Sequence, residues 1–565
     1  MTDWVHGINI AAPAFNTGPT LPCSDDGLHL DDDAPYFLVR ICDGRVCTRG
    51  VSTCILGHRI PGREGISDGI FAGWTWNGTH LRVINDRYGF YPLYYFCDKD
   101  RVAVSPSMTK LLTMGASTEL DEEGLAVFLR IGFFLGEHTP FRAIRALPPQ
   151  VDFEWSNGSL RVSGSRPTVK IEKISRDEAI DRFLAAVRAA IRRRLPPDGR
   201  CAVPLSGGKD SRLLTLLLCE AGCPPTECVT VVHTPPLQNG DAICAAAVSE
   251  ALHLKHVLLN QQRNRLNAEL IKNVRTNMCS DEHTHYMVLA DYLRQHFTTV
   301  YDGIALDALT GMSMHFSSPG QEESFEGDGM KRYVNYLLRA FPKQHSRHEE
   351  FLEQMLKPSQ YRRFSRELAE ECLTREVKSH LDALSPVTSF FFWNRTRREI
   401  TQVPFGMMKD IPYVFCPFLD HEVYDVLASL PTSVFIDLKF RKDAIARAFP
   451  KAAAIPYDGE VRASKVDAEP YFRQFGRDLL WWLAVHPPGP LLRRSNALSM
   501  ALKSAINSKW GRQLFAKRWT GPHTVYLAQL ESFLRQLPVS YEKVDLQMAA
   551  KAKFTDSGVA WSEPG

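Results

Sequence analysis

"VPLSGGKDSRLLTLLL", residues 203–218, is the stretch on which the reading of the fold turns. A short apolar run, CAVPL (201–205), precedes it in strand-like fashion, and SRLLTLLLCEAG (211–222) continues as a helix. Between the two lie Ser206, Gly207, Gly208, Lys209 and Asp210. Two glycines let the backbone turn sharply and keep side chains away from a ligand. The helix start presents free N–H groups and the positive end of its dipole, and the Ser206 and Ser211 hydroxyls add donors. An anion fits there, most naturally a phosphate chain. Asp210 is out of place in an anion site unless a divalent cation joins it, and Mg²⁺ bridging a carboxylate and phosphate oxygens resolves the conflict. The spacing is neither that of a Walker loop nor that of the dinucleotide fingerprint.

The pattern around the loop is strand, helix, strand, helix. CVTVVHT (228–234) and TTVYDGI (298–304) read as buried strands, DAICAAAVSEALHL (241–254) and HYMVLADYLRQHF (285–297) as helices. That alternation predicts a parallel sheet with helices on its faces. A helix is also expected over SRDEAIDRFLAAVRAAIRRRL (175–195), with Ser175 and Glu178 as capping box and PPDG (196–199) as its stop. The chain before Gly164 reads differently. YFLVRICDGRVC (36–47), GIFAGWTWNGTHLRVI (69–84), RVAVSPS (101–107) and VDFEWSNGSLRVSG (151–164) are strands and hairpins, with turns at Asn77-Gly78 and Asn157-Gly158. The chain beyond about Phe316 is expected to be mostly helical, with a polar loop at SPGQEESFEGDGMK (318–331) and a frayed tail at KFTDSGVAWSEPG (553–565).

The bulk composition sets limits. The 565 residues, 44% apolar, suffice for more than one core. A net charge of +3 speaks against a nucleic-acid-coating protein, although a local basic groove would be invisible in that sum. The 13 cysteines contain no CxxC pair, which favours reduced thiols and the cytoplasm. MTDWVHGINI lacks the features of a signal peptide, and LLTLLL and LLWWLAV are too short to span a bilayer, so no membrane partner is expected.

The run S-G-G-x-D-S matches the pyrophosphate loop of the ATP-pyrophosphatase superfamily, and the surrounding chain resembles the asparagine synthetase family. NDRYGFYPLYYF (85–96) resembles the family's R-D-x-x-G-x-x-P-L-Y-Y stretch, SDGIFAGWTW (67–76) its L-x-G-x-F-A segment, and GEHTPFRAIRALPP (136–149) its T-x-F-x-x-I-x-x-L-P-P. Further on, DAICAAAVSEALHLKH (241–256) resembles the helix after the second strand and DGIALDALTG (302–311) the S-G-E-G-x-D-E-L-F-G segment. CPFLDHEVYDVLASLP (416–431) resembles P-F-L-D with its helix, and VRASKV (461–466) stands where the family has R-x-K-x-G.

The resemblance implies an α/β protein: an N-terminal α+β Ntn-hydrolase-like sandwich over residues 1–165, a parallel-sheet ATP-pyrophosphatase domain with a helical C-terminal part over 175–550, and a tail over 551–565. It implies ATP along Leu205, Ser206, Gly207, Gly208 and Ser211, adenine near Val232 and His233, and Asp302 and Gly303 lining the cleft. Asp210 and Asp307 would hold Mg²⁺ and act with Lys465 in catalysis, the lysine stabilising the charge of the acyl-adenylate step. The product would be an amide, with AMP and pyrophosphate released. A small-molecule or peptide carboxylate and an amine acceptor are the implied substrates, with a partner protein conceivable for peptide delivery and no nucleic acid expected.

Two departures qualify the resemblance. Glutamine-dependent members carry a cysteine after the initiator methionine, where this chain has Thr2, so glutaminase activity is not expected. Ile304 occupies the glutamate position of S-G-E-G-x-D and cannot accept the amine's proton. β-Lactam synthetases and lasso-peptide cyclases also lack the glutaminase cysteine and use the same adenylation with an intramolecular or peptide amine, and this chain resembles that group more than a housekeeping asparagine synthetase. The competing readings are an asparagine synthetase using ammonia or glutamine, a tRNA-modifying enzyme, and a non-catalytic nucleotide-binding descendant.

Overall fold

The hairpins of the first domain form where turn chemistry meets alternating burial. In the computed structural model, which describes residues 34–42, 45–62, 66–232, 239–261, 265–311, 325, 328–340, 348–461, 469–507, 509–510, 520–536 and 547–548, the strands run in order β1 (Phe37–Cys42), β2 (Arg45–Gly50), β3 (Thr53–Pro61), β4 (Ser67–Trp76), β5 (His80–Asn85), β6 (Tyr94–Cys97), β7 (Arg101–Ser105), β8 (Arg145–Ala146), β9 (Asp152–Ser156) and β10 (Ser159–Ser163). β9 and β10 pair from Ser156↔Ser159 outward across Asn157 (φ 49°) and Gly158 (φ 81°), the doubly positive turn that Asn-Gly favours. β4 and β5 pair from Trp76↔Leu81, and Asn77 Oδ1 accepts the Thr79 and His80 N–H groups at 3.0 and 2.8 Å.

These strands make two antiparallel sheets, ordered β2-β1-β7-β6-β8 and β10-β9-β5-β4-β3. Their inward residues, among them Val39, Trp74, Leu81, Phe153 and Trp155, share one core. A short strand near the far end of the chain, Gln547–Met548, adds to the free edge of β2, a return to the first domain that no sequence signal announces.

The parallel sheet follows. Its strands are β11 (Ala202–Pro204), β12 (Glu227–Val232), β13 (His256–Asn260), β14 (Thr299–Tyr301) and β15 (Tyr413–Phe415), ordered β13-β12-β11-β14-β15, all neighbours parallel. β11 is central, and the chain winds from it first to one side and then to the other. The helix Arg176–Arg192 leads into β11, the helices Lys209–Glu220, Gly240–Ala251 and Tyr286–His296 lie between the sheet's strands as expected, and Ser175 accepts the Glu178 N–H as the capping box requires. β13 and β15 fall outside the expected strands. Each is short, and HVLLN and YVF carry too little pattern to stand out.

A buried ion cluster joins the two domains. Arg194, at the end of the Arg176–Arg192 helix, reaches Asp68 of β4 at 3.1 Å and Asp420 of the PFLD segment at 2.6 Å, and Arg193 adds a 2.5 Å bond to Asp420. All three buried side chains are almost fully shielded, so loss of the Arg194 guanidinium would leave Asp68 without its arginine, and Asp420 with Arg193 alone, at a cost of about 3–5 kcal/mol. PFLD is therefore structural: its aspartate caps the His421–Ala428 helix and accepts from both arginines.

The loop expected over 318–331 lies mostly outside the described residues, which begin again as helix at Asp328–Ala340, and the tail over 553–565 lies outside them entirely. Among the described residues no helix is long and apolar enough to cross a membrane.

Candidate active site

In a parallel sheet wound both ways from a central strand, the carboxyl ends of the strands flanking the reversal open a crevice. Here the reversal falls between β11 and β14. The segments that leave those two strands are Leu205–Ser211 and Asp302–Asp307, the two stretches singled out from the sequence. They touch. A Cβ added to Gly303 would lie 3.3 Å from the Ser211 nitrogen and 3.5 Å from Asp210 Cβ, so the second loop rests on the first turn of the Lys209–Glu220 helix.

The first loop is rigidly built. Leu205 is buried, its N–H bonded to Val229 O and its carbonyl accepting from Thr230 Oγ1. The Ser206 N–H donates to Ser211 Oγ at 3.0 Å, and Ser206 Oγ accepts the Gly208 N–H at 3.2 Å. Gly207 donates to Asp241 Oδ1 at 2.8 Å and accepts the Asp458 N–H. A side chain at Gly207 would strike Asp458 Cβ at 2.9 Å and Asp241 Cα at 3.1 Å, so only glycine fits. Gly208 is the N-cap of the helix and supplies no side-chain cap, whereas Ser175, Ser365 and Asp121 cap their own helices. The first-turn N–H groups of the Lys209–Glu220 helix are thus left for a ligand.

The charges around this helix start alternate in sign. Asp210 Oδ1 accepts from Arg441 Nη1 at 2.7 Å. Withdrawal from water pushes the Asp210 carboxyl up to about 6; Arg441 opposes the rise and Asp307 adds to it, which places the two carboxylates within electrostatic reach of each other. Lys209, half-buried, lies 5.7 Å above the Tyr457 ring; Lys442 lies over the same ring at 5.2 Å, and Arg212 stacks on it at 3.9 Å. Burial holds the Lys209 amine below its usual range, and Arg441 and Lys442 press it further down. Such crowding of cations is relieved by a polyanion.

Asp302 follows β14 directly; burial pushes its carboxyl up to about 6, partly offset by the Ile304 N–H that donates to it at 2.8 Å. Asp307 lies in the Leu306–Leu309 turn of helix and accepts the Ala308 N–H. Val232 ends β12 on the same sheet edge. Burial raises the hydroxyl of Tyr286, and the charges of Asp302, Asp241 and Asp307 add to the rise. Lys465 and His233 lie outside the described residues.

Ile304 is 7% exposed and belongs to the core, so no base stands at that position. A titratable group stands nearby that sequence reasoning missed. Glu282, His283 and Glu399 bring ligand atoms within 4.8 Å of one another. Arg395 donates to Glu282 at 3.2 Å, lies 3.3 Å from Glu399 Oε2, and feels the charge of Asp307. Glu399 is held well above the carboxylate range by burial and by Glu282. It rides on a π-helix, Phe392–Ile400, whose wide turn no residue pattern announces; such turns recur at functional sites. Arg441 was missed for a different reason: it pairs with Asp210 across 231 residues.

Beyond the Leu306–Leu309 turn lies a cavity of about 360 Å³, walled by Leu309, Gly311, Phe392, Trp393, Tyr424 and Phe435. No residue of the Leu205–Ser211 loop lines it.

Residues 182–458 match the asparagine synthase family, and residues 63–164 match the glutamine amidotransferase domain. The chain belongs to the asparagine synthetase family. It is a carbon–nitrogen ligase of the asparagine synthetase type, and an ATP-dependent one. The amidotransferase match falls on the antiparallel sheets, and the asparagine synthase match spans the whole parallel sheet. No curated protein matches the chain.

Proposed function

We propose that this asparagine synthetase-family ligase closes an amide between a specialised carboxylate substrate and a tethered or peptide amine, in the manner of β-lactam synthetases and lasso-peptide cyclases, and that its amidotransferase domain supplies no ammonia. The observation that carries the reading is Ile304. Where ammonia-using members present a carboxylate, this chain buries an apolar side chain. Thr2 in the cysteine position agrees with it, and the aromatic cavity of about 360 Å³ has room for a substrate larger than an amino acid.

In this reading the phosphates of ATP lie against the uncapped helix start at Gly208, between Lys209, Arg441 and Lys442. Asp210 and Asp307 suit a divalent cation: the Asp210 carboxyl, raised beside its neighbour, gains from a positive charge placed between them. Mg²⁺ held there would neutralise the phosphate oxygens. The substrate carboxylate attacks the α-phosphorus and pyrophosphate leaves; the amine then attacks the acyl carbon, AMP leaves, and the amine's proton passes to His283, which burial keeps neutral beside Glu282 and Glu399. Lys465 remains the family's candidate for stabilising that charge. A separate protein that hands over a peptide substrate would fit the same scheme.

The test is ATP–pyrophosphate exchange screened over carboxylates and precursor peptides, with ammonia and glutamine as competing amine sources. The reading predicts exchange with a specialised carboxylate and no aspartate-to-asparagine conversion; ammonia-dependent asparagine formation would overturn it. His283→Gln should leave exchange near wild type while amide formation falls by roughly a hundredfold, within the range of general-base losses.

A further inference from the structure

Residues 479–530 contain no aspartate or glutamate, yet they hold Arg493, Arg494, Lys503, Lys509, Arg512, Lys517 and Arg518. The rest of the chain is net acidic, so the small overall charge conceals a basic segment. Residues 479–485 and 494–506 of that segment belong to a helical hairpin, Glu469–Val485 followed by Arg494–Ile506. A Cβ at Gly476 would lie 2.4 Å from the Ala505 nitrogen, which fixes the two helices as antiparallel and in tight contact.

The hairpin's inner side, with Phe472, Phe475, Leu479, Leu483, Ala497 and Ala501, is core. Its outer side is not polar, as a solvent face should be. Trp481 is 66% exposed, Ile506 67%, Val485 53%, Leu502 47% and Trp510 46%. With residues 476 and 505 level and a rise of about 1.5 Å per residue, Trp481 and Leu502 sit within about 3 Å of each other along the axis. Val485 continues the stripe at one end, Ile506 and Trp510 at the other. Exposed cations flank it: Arg477, Lys509 and Lys503, the last over the Trp510 ring at 5.4 Å. Among the described residues, the acids near the hairpin include Asp478, tied to Gln474, Glu531, whose carboxylate accepts the N–H groups of Gly489, Leu491 and Leu492 between the two helices, and Glu350 and Glu353 on the His348–Met355 helix, which meets the hairpin near Asn496, away from the Trp510 end.

From this we infer that the outer face of the helical hairpin docks on an anionic lipid surface. Tryptophans among aliphatic side chains suit the interfacial layer, and the flanking lysines and arginine suit lipid phosphates. A nucleic acid would call for cations with stacking rings and gains nothing from Val485, Leu502 and Ile506. Surface docking needs no spanning helix, and the expectation of no membrane partner rested on spanning segments alone.

The test is sedimentation of the full chain with phosphatidylcholine vesicles, with and without phosphatidylglycerol. Binding is expected to the anionic vesicles, to be weak on pure phosphatidylcholine, and to fall with salt. The surface double variant Trp481→Gln, Ile506→Gln should bind at least about tenfold more weakly, and Lys503→Gln about fivefold more weakly, both with unchanged pyrophosphate exchange. Three results would overturn the inference: no binding to either vesicle, binding indifferent to the double variant, or a preference for duplex DNA or tRNA over the vesicles.

Discussion

Asp86 and Asp210 are both carboxylates withdrawn from water, and in both burial pushes the pKa up to about 6. Their surroundings differ in kind. Asp86 lies in the antiparallel domain and is enclosed by its own segment, accepting the Tyr88, Phe90 and Tyr91 N–H groups at 2.9–3.1 Å. Asp210 is held by Arg441 from far along the chain and faces Asp307 across the crevice. A raised carboxyl pKa therefore does not by itself mark a site. What distinguishes Asp210 is that its neighbours are charges that a ligand can rearrange, whereas those of Asp86 are backbone dipoles fixed by the fold.

Substituting each aspartate separates the two roles most sharply. Asp210→Asn should lower ATP–pyrophosphate exchange by about a thousandfold or more, with an unfolding temperature close to wild type. Asp86→Asn should do the reverse: about 1–3 kcal/mol less stability in urea denaturation, and normal exchange per folded molecule. A variant pair in which these outcomes were exchanged would break the comparison.

The pH dependence sharpens it further. A carboxyl raised from 3.8 to about 6 makes the folded chain bind protons that the unfolded chain has released, so each such group favours folding as pH falls from about 6 toward 4 and weakens it as pH rises through that window. A cation site needs the ionised form. MgATP should therefore bind roughly tenfold more weakly at about pH 5 than at pH 7, and the folding stability of Asp210→Asn in urea should depend less steeply on pH than that of the wild type. The smallest effect belongs to the amidotransferase domain. Thr2→Ala should leave ATP-dependent turnover unchanged, and loss of glutamine-supported turnover in that variant would restore a nucleophile to this domain.

Much of the site was legible because its parts are short-range. The turn glycines, the strand before them and the helix after them lie within 19 residues, and Gly207 is needed for a reason that sequence alone suggests, close approach. The hairpins at Asn77-Gly78 and Asn157-Gly158 were legible for the same local reason. Arg441, Asp241 and the Glu282–His283–Glu399 group were not, since each acts across tens or hundreds of residues and nothing in its own segment sets it apart. β13 and β15 escaped because their strand character is imposed by parallel neighbours rather than by alternation. The return of Gln547–Met548 to β2 is a purely tertiary event.

The central claim is that the uncapped helix start after β11, with Asp210 and Asp307 beside it, grips the phosphates of ATP. Isothermal titration of the purified full chain with MgATP tests it most directly. The account predicts saturable binding at one site, lost in Asp210→Asn and dependent on the divalent cation. Absence of binding in the wild-type chain, or equal binding in the variant, would contradict it.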